Sequence, residues 1–252
     1  MKKKLKNNAG IILIGLGIII IYELLTDVFT VLDPFLFKGL SIIIPLFFEY
    51  IPQLLNGFVS SMILLVTAYV ISLFLGISIG VLVGLNQKLR RNITPYINAF
   101  GAVPATLLTP YAIHMFPSFR LASIFIIFLG SFWPILGSTI SAVMTIDKRY
   151  LENASTLEIP PFEKLFRVIL PAASPAILVG CTIALKFSFV LLAVAEMFGA
   201  TSGMGYFIQY YSDFARFDLV MVGFIFMSIV LVIVMYLFDL IKAKILFWTT
   251  NN

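Results

Sequence analysis

The chain has 252 residues, of which 61% are hydrophobic and 12% are charged, and its formal net charge is +5. Soluble globular domains carry about 25% charged residues, so this composition excludes an ordinary soluble domain and indicates a chain that lies largely in a lipid bilayer. A single histidine and a single cysteine exclude metal sites that need two histidines and exclude an internal disulfide.

Apolar stretches long enough to cross a bilayer recur along the chain, since a membrane-spanning helix needs roughly 20 residues. We predict six such spans, at residues 10–29, 56–85, 96–116, 119–143, 174–198 and 218–243. Four lysines precede the first, as in a signal peptide, but its length favours a helix that is not cleaved. Segment 35–53 contains Pro45 and Pro52, which favours an interfacial or re-entrant helix over a seventh span. The predicted organisation is an N-terminal helix with an interfacial segment, 1–54, and a core, 55–248.

Basic residues are distributed unevenly between the predicted spans. If the N-terminus is cytoplasmic, 13 of the 17 lysines and arginines fall in inside segments, while the outside segments hold three, Lys38, Arg120 and Arg216. This asymmetry follows the positive-inside rule, so we expect both termini on the cytoplasmic side. The basic character is explained by these loops, and no basic–aromatic patch predicts nucleic-acid binding.

Two patterns within the spans predict how helices meet. Gly76, Gly80 and Gly84 recur every fourth residue on the second span, which lets another helix backbone approach closely. Packing inside the chain is the favoured interpretation, and a dimer face is the alternative. Prolines 95, 104, 110 and 117 interrupt the third span. Such a break must be satisfied by neighbouring helices or a wet cavity, which suggests a transport pathway.

The longest polar segment, residues 145–176, is predicted to contain a first short helix at 147–157. Apolar residues recur there at helical spacing, Asp147 is well placed to cap the helix, and Pro160 and Pro161 stop it. The helix and its turn are interpreted either as a compact docking surface for a cytoplasmic partner or as a packed linker.

A second helix in this polar segment is predicted at 162–169. It is expected to bury Leu165, Phe166 and Ile169, and Pro171 and Pro175 are expected to end it before the fifth span begins.

The polar segment also carries a recognisable motif. Residues 152–157 read Glu-Asn-Ala-Ser-Thr-Leu, and Ile-Leu-Pro follows at 169–171. Further motifs are Val-Pro at 103–104, Phe-Trp-Pro-Ile-Leu at 132–136, Ala-Glu-Met at 195–197, Ser-Gly-Met-Gly-Tyr at 202–206 and Asp-Leu-Val at 218–220. In their order and spacing these motifs resemble the permease subunits of type I binding-protein-dependent ABC importers, in the branch for sulfonates, taurine and nitrate. The motif at 152–157 resembles the EAA loop of that family.

The resemblance covers about residues 55–248 and implies an all-α polytopic protein of the bacterial cell membrane. It implies a permease without catalytic residues or cofactors of its own, with ATP and Mg²⁺ bound by a separate cytoplasmic ABC ATPase dimer. The other implied partners are an external substrate-binding protein and a second permease copy, for which a homodimer is favoured and a heterodimer stays open. The solute is not named by the sequence.

The same resemblance implies which residues contact the ATPase. By motif match these are Glu152, Ala154, Leu157 and Ile159, with Pro171 fixing the return to the membrane.

The chain departs from the family pattern at two positions of this loop. Asn153 replaces an alanine, and Glu158 replaces the usual glycine. Because glycine there permits positive φ after a helix, we predict a reshaped turn before Pro160 and retained ATPase coupling.

Charges inside the fifth span are candidates for the solute pathway, since charge within a membrane usually faces a bundle interior or cavity. Lys186 is interpreted either as attracting an anionic solute or as satisfying a group on another helix. Glu196 is expected near the outer mouth, ordering residues 202–206. Phe187 and Tyr111 complete the expected pathway residues.

The main alternative is a secondary transporter driven by an ion gradient. That class predicts inverted repeats and several buried carboxylates, whereas the sequence offers one good candidate carboxylate and no repeat.

Overall fold

The computed structural model describes residues 2–249, and the side chains of residue 10 and of residues 13–248. The regular elements in this part of the chain are helical. They are α1 Lys2–Glu23, α2 Leu40–Glu49, α3 Ile51–Leu85, α4 Gln87–Gly101, α5 Thr109–Met115, α6 Phe119–Met144, α7 Lys148–Thr156, α8 Pro161–Lys164, α9 Leu170–Met197, α10 Met204–Asp213 and α11 Phe217–Ile245.

Four helical stretches among the described residues are long and apolar enough to cross a membrane. They are Ile51–Leu85, Phe119–Met144, Pro161–Met197 and Phe217–Ile245. The all-α, multi-span class is thereby confirmed. The first predicted span falls on α1 and a π-helical turn, Leu24–Val28, and the side chains of residues 1–9, 11 and 12 lie outside the described part. Segment 35–53 contains α2, an apolar helix of ten residues and therefore too short to span a bilayer.

The third predicted span, 96–116, is interrupted, as its prolines indicated. The chain forms α4, leaves helical structure at 102–104, and continues through a 3₁₀ turn, Ala105–Leu108, into the seven-residue α5. Pro104 has extended backbone (ψ 119°), has no N–H to donate and disfavours a helical conformation at the residue before it, so the helix is interrupted here. Pro95, in contrast, lies inside α4.

Helix α6 packs between α3 and α9 and forms the centre of the bundle. At the α3–α6 contact, an added Cβ at Gly76 would lie 2.8 Å from Ile135, and one at Gly80 would lie 2.6 Å from Thr139. The hydroxyls of Ser72 and Ser131 form a 2.6 Å hydrogen bond in the same interface. The glycine repeat therefore serves packing within the chain, as its favoured interpretation predicted.

The predicted second helix of the polar segment does not end at Pro171 or Pro175. α8, a π-helical turn Leu165–Ile169 and α9 form one helical run from Pro161 to Met197. The N–H of Leu170 bonds to the carbonyl of Leu165, which shifts the hydrogen-bond register just before Pro171. A proline, which has no N–H to place, can follow this turn without ending the helix.

The predicted burial of the second helix holds only in part. Ile169 is 5% exposed and Leu165 is half-buried, but Phe166 is 53% exposed and packs against Phe162 with the two rings tilted by 52°.

Candidate functional site

Helix α7 confirms the first predicted helix of the polar segment, and Asp147 caps it. The Asp147 carboxylate accepts hydrogen bonds from the backbone N–H of Arg149 at 2.9 Å and from its guanidinium at 2.9 and 2.6 Å. These bonds lower the pKa of Asp147 from its ordinary value, and those from the Arg149 side chain contribute more than the one from its backbone. The start of α7 is therefore fixed by its own neighbouring residues.

The end of α7 forms a complete two-bond cap. The N–H of Glu158 bonds to the carbonyl of Ser155 at 3.1 Å, and the N–H of Ile159 bonds to that of Ala154 at 3.1 Å. Glu158 has φ 50°, so it occupies the left-handed conformation that glycine usually takes at this position. The predicted reshaped turn is thus wrong: the turn keeps the glycine geometry, because the two backbone bonds outweigh the strain in Glu158.

The predicted ATPase-contact residues differ in exposure. Ala154 is 2% exposed and packs inward, whereas Leu157 is 72% exposed. Glu152 and Glu158 are exposed, and Ile159 is half-buried. The structure therefore presents Leu157 as an apolar side chain at the end of a rigid short helix.

A cleft of about 620 Å³ opens beside this helix. It collects four of the predicted residues, Ala154, Leu157, Ile159 and Pro171. Trp248, which follows the last long helix, forms another part of its lining. Sequence analysis missed Trp248 because it lies 91 residues from Leu157 and outside the recognised motifs.

Helix α7 is also tied to the helix that follows it. The Lys164 ammonium donates to the carbonyl of Leu151 at 3.3 Å and to the hydroxyl of Ser155 at 3.0 Å. These two bonds join α7 to α8, the first part of the long helical run behind it.

At the other end of the bundle, Glu196 is 1% exposed and both its oxygens are hydrogen-bonded. The Ser61 hydroxyl donates to Oε1 at 2.6 Å, and the N–H of Gly205 donates to Oε2 at 2.7 Å. The Ser61 oxygen in turn accepts the N–H of Met204 at 2.9 Å. Glu196 thus orders the 202–206 segment as expected, through Ser61, a partner that the sequence did not indicate.

Gly203 lies inside this arrangement and has φ 140°, a conformation that L side chains rarely adopt. An added Cβ at Gly203 would lie 2.6 Å from Oε2 of Glu196, and one at Gly57 of α3 would lie 3.0 Å from the Gly203 carbonyl. The buried carboxylate therefore requires glycine at position 203, and the close approach of α3 to the Gly203 carbonyl requires glycine at position 57. We call Glu196, Ser61, Gly203, Met204 and Gly205 the Glu196 network.

The predicted pathway residues are not gathered in one place. Lys186 lies on an exposed face of α9, and no hydrogen bond or ion pair joins it to another described residue. Phe187 lines a cavity of about 300 Å³ at the break between α4 and α5, together with Pro104 and Trp133. Tyr111 is 69% exposed on α5, and Glu196 is enclosed in its own network.

Residues 72–246 match the family described as binding-protein-dependent transport system inner membrane component. The chain is 31% identical over 177 residues to the putative aliphatic sulfonates transport permease protein SsuC of Bacillus subtilis strain 168, which covers 70% of this chain and 64% of that protein. It is 30% identical over 155 residues to the taurine transport system permease protein TauC of Escherichia coli K12, covering 62% and 56%. The chain thus spans somewhat less than two thirds of these relatives.

A solved structure has the same fold. A chain of the MetNI methionine ABC transporter in an inward-facing conformation superposes with a TM-score of 0.66 and 19% identity, covering 78% of this chain and 98% of that one. The predicted resemblance to importer permeases of the sulfonate, taurine and nitrate branch is confirmed by these relatives. The chain therefore belongs to the family of binding-protein-dependent transport system inner membrane components.

Proposed function

We propose that this chain is the permease subunit of an ATP-driven importer, which forms the solute pathway and is coupled to a cytoplasmic ATPase dimer through α7. The observation that carries the proposal is the exposed Leu157 at the end of a doubly capped helix. An apolar side chain that is 72% exposed in a polar segment gains free energy when a partner buries it.

The geometry of α7 suits a mechanical coupling element. Its two ends are held by backbone and cap hydrogen bonds, and Lys164 joins it to the run Pro161–Met197. A rigid helix at an interface moves as a unit and transmits a two-state change. ATP and Mg²⁺ are bound by the ATPase in this scheme, and the chain itself contributes no cofactor.

The orientation follows from the basic residues. The positive-inside asymmetry supports a cytoplasmic position for α7 and both termini in a bacterial cell, with the Glu196 network at the outer surface. An external binding protein would then deliver solute at the Glu196 end of the bundle, opposite α7.

We place the solute pathway along the break between α4 and α5 and the exposed face of α9. Lys186 is eleven residues before the end of α9, so it lies about 16 Å from that end, near the middle of a bilayer of about 30 Å. A lysine facing lipid at that depth costs about 2.5–3.5 kcal/mol, which favours a face that a second permease copy encloses as a wet pathway. A homodimer is the simplest such assembly.

The solute class is taken from the names of relatives. These include permeases for aliphatic sulfonates and taurine and a nitrate import permease. We propose a small solute with anionic character, which Lys186 would attract.

The coupling is tested by replacing Leu157 with Asp and asking whether the ATPase still co-purifies with the detergent-solubilised chain. We expect the native chain to retain the ATPase and Leu157→Asp to lose it, with no change in melting temperature. Phe214→Asp, the same change at an exposed position of the other end, is the matched control and should retain the ATPase. If no ATPase co-purifies with the native chain and uptake is driven by an ion gradient, the secondary-transporter alternative is supported instead.

The pathway is tested by uptake in vesicles containing the whole transporter and ethanesulfonate as the trial solute. We expect Lys186→Met to raise the solute concentration for half-maximal uptake and Lys186→Arg to restore it. Unchanged half-saturation in Lys186→Met would remove Lys186 from the pathway and leave it a structural role.

A further inference from the structure

A second polar cleft, separate from α7 and from Lys186, lies beside the Glu196 network. It has a volume of about 390 Å³ and lies between the start of α3, the start of α6 and the loop that follows α9. Its polar lining consists of Ser60, Ser118, Arg120, Thr201 and Ser202. This volume is in the range of small-molecule sites in proteins.

Arg120 is the charged residue of this lining; it is exposed, and no described residue supplies it with a counter-ion. In the described part of the chain, its guanidinium forms neither a hydrogen bond nor an ion pair. Arg216, at the same end of the bundle, is instead paired with Asp218 at 2.8 Å. The carboxylate in the adjacent network, Glu196, accepts its hydrogen bonds from Ser61 and Gly205 and forms no ion pair with Arg120.

The position of Arg120 is unfavourable in two further respects. It is the second residue of α6, where the positive end of the helix dipole disfavours a cation. By the orientation proposed above it also lies on the outer side, where basic residues are rare. Both costs would be offset by an anion bound in the cleft.

The hydroxyl groups around Arg120 suit the same ligand. Ser60 and Ser202 share one 2.8 Å hydrogen bond, in which one hydroxyl donates, so the hydrogen of the other stays free for a ligand. The Thr201 hydroxyl forms no hydrogen bond within the described structure and adds a further donor. An arginine fork with hydroxyl donors is the arrangement that binds carboxylate and sulfonate oxygens.

The cleft is held in shape by the Glu196 network. Its loop wall, 199–202, begins three residues after Glu196 and ends next to Gly203, and Ser60 is adjacent to Ser61. Leu64 and Phe119 supply an apolar side to the lining. The buried carboxylate thus fixes the walls of a site that combines a cation, hydroxyls and apolar surface.

We propose that this cleft is an outer binding site for a small organic oxyanion, a carboxylate or sulfonate with a short apolar tail, whose charged group is bound by Arg120. The proposal rests on the proposed function for its outward orientation, and it adds a site distinct from Lys186. Arg120 binds the ligand directly, whereas Glu196 acts as a positioning residue.

The test uses the full chain in nanodiscs of zwitterionic lipid, with ethanesulfonate as probe and ethylammonium as a cation of similar size. Binding is measured by saturation-transfer NMR, with empty nanodiscs as background. We expect ethanesulfonate to bind and ethylammonium not to bind. Arg120→Gln should weaken ethanesulfonate binding about tenfold or more, Arg120→Lys should weaken it less, and Arg216→Gln should leave it unchanged.

Other sources of the same anionic group are distinguished in the same experiment. If ethanesulfonate no longer binds when the nanodiscs contain phosphatidylglycerol, the cleft is assigned to a lipid headgroup and the proposal is overturned. In another outcome, the native chain does not bind ethanesulfonate and Arg120→Gln loses docking of the binding protein. That result would assign the cleft to an acidic side chain of the binding protein and would also overturn the proposal.

The coupled importer and the outer anion site can fail separately. Ethanesulfonate binding without any co-purifying ATPase supports the cleft and contradicts the coupled importer. An ATPase that is lost in Leu157→Asp, together with a native chain that does not bind ethanesulfonate, supports the importer and overturns the cleft.

Discussion

Glu158 and Gly203 both turn the chain through positive φ, at 50° and 140°, and they do so at opposite ends of the bundle. The turn at Glu158 is exposed and is held by backbone bonds between residues at most five positions apart. The turn at Gly203 is buried and is held by Glu196 and by Ser61, which lies 142 residues away in the chain.

The comparison shows that the same backbone conformation has different requirements in the two places. At Glu158 a residue with a side chain is tolerated, because the cap bonds offset a strain of roughly 1–2 kcal/mol and the side chain is exposed. At Gly203 a Cβ would enter the space of the Glu196 carboxylate, so the side chain itself is excluded. The first turn tolerates departure from the family pattern, and the second does not.

The largest expected effect comes from Gly203→Ala. The substitution combines a backbone conformation that costs about 3 kcal/mol for alanine with overlap on Glu196, so we expect a markedly lower melting temperature and folded yield. The measurement is thermal unfolding in detergent. Gly137→Ala, a helical position where an added Cβ meets no atom within 4 Å, is the control and should be neutral or slightly stabilising.

A smaller loss of stability is expected from Ser61→Ala. It removes the donor to Glu196 and the acceptor of the Met204 N–H in one step, which should cost about 1–3 kcal/mol because both remaining groups are buried. Ser60→Ala, one residue earlier, removes a partner of Ser202 alone and should cost less. Equal melting temperatures for the two variants would contradict the assignment of the network to Ser61.

The smallest effect has the opposite sign. Glu158→Gly relieves the left-handed strain and should stabilise the end of α7 by about 1 kcal/mol, seen as slower hydrogen exchange at 155–159. Glu152→Gly, inside the same exposed helix, should instead destabilise the helix by a similar free energy, so hydrogen exchange should be faster. Faster exchange in Glu158→Gly would show that the Glu158 side chain contributes a contact of its own.

The sequence predicted those parts of the site that depend on neighbouring residues. The cap at Asp147, the extent of α7 and the Gly76–Gly80–Gly84 repeat are short-range patterns, so they were readable directly and agree with the structure. The predicted ends at Pro171 and Pro175 were wrong because a π-helical turn changed the register before them. That adjustment depends on tertiary packing, whereas the expectation that proline ends a helix considers only the local sequence.

By itself, the sequence determined that this chain is an all-α membrane protein with a capped helix in a long polar segment, because apolar length, capping residues and small-residue spacing act locally. The tertiary structure decided which distant groups meet: Ser61 with Glu196, Trp248 with the α7 cleft, and Arg120 with the loop after α9. The physical reason is that a buried carboxylate or an unpaired guanidinium is defined by its surroundings, and those surroundings come from segments far apart in the chain.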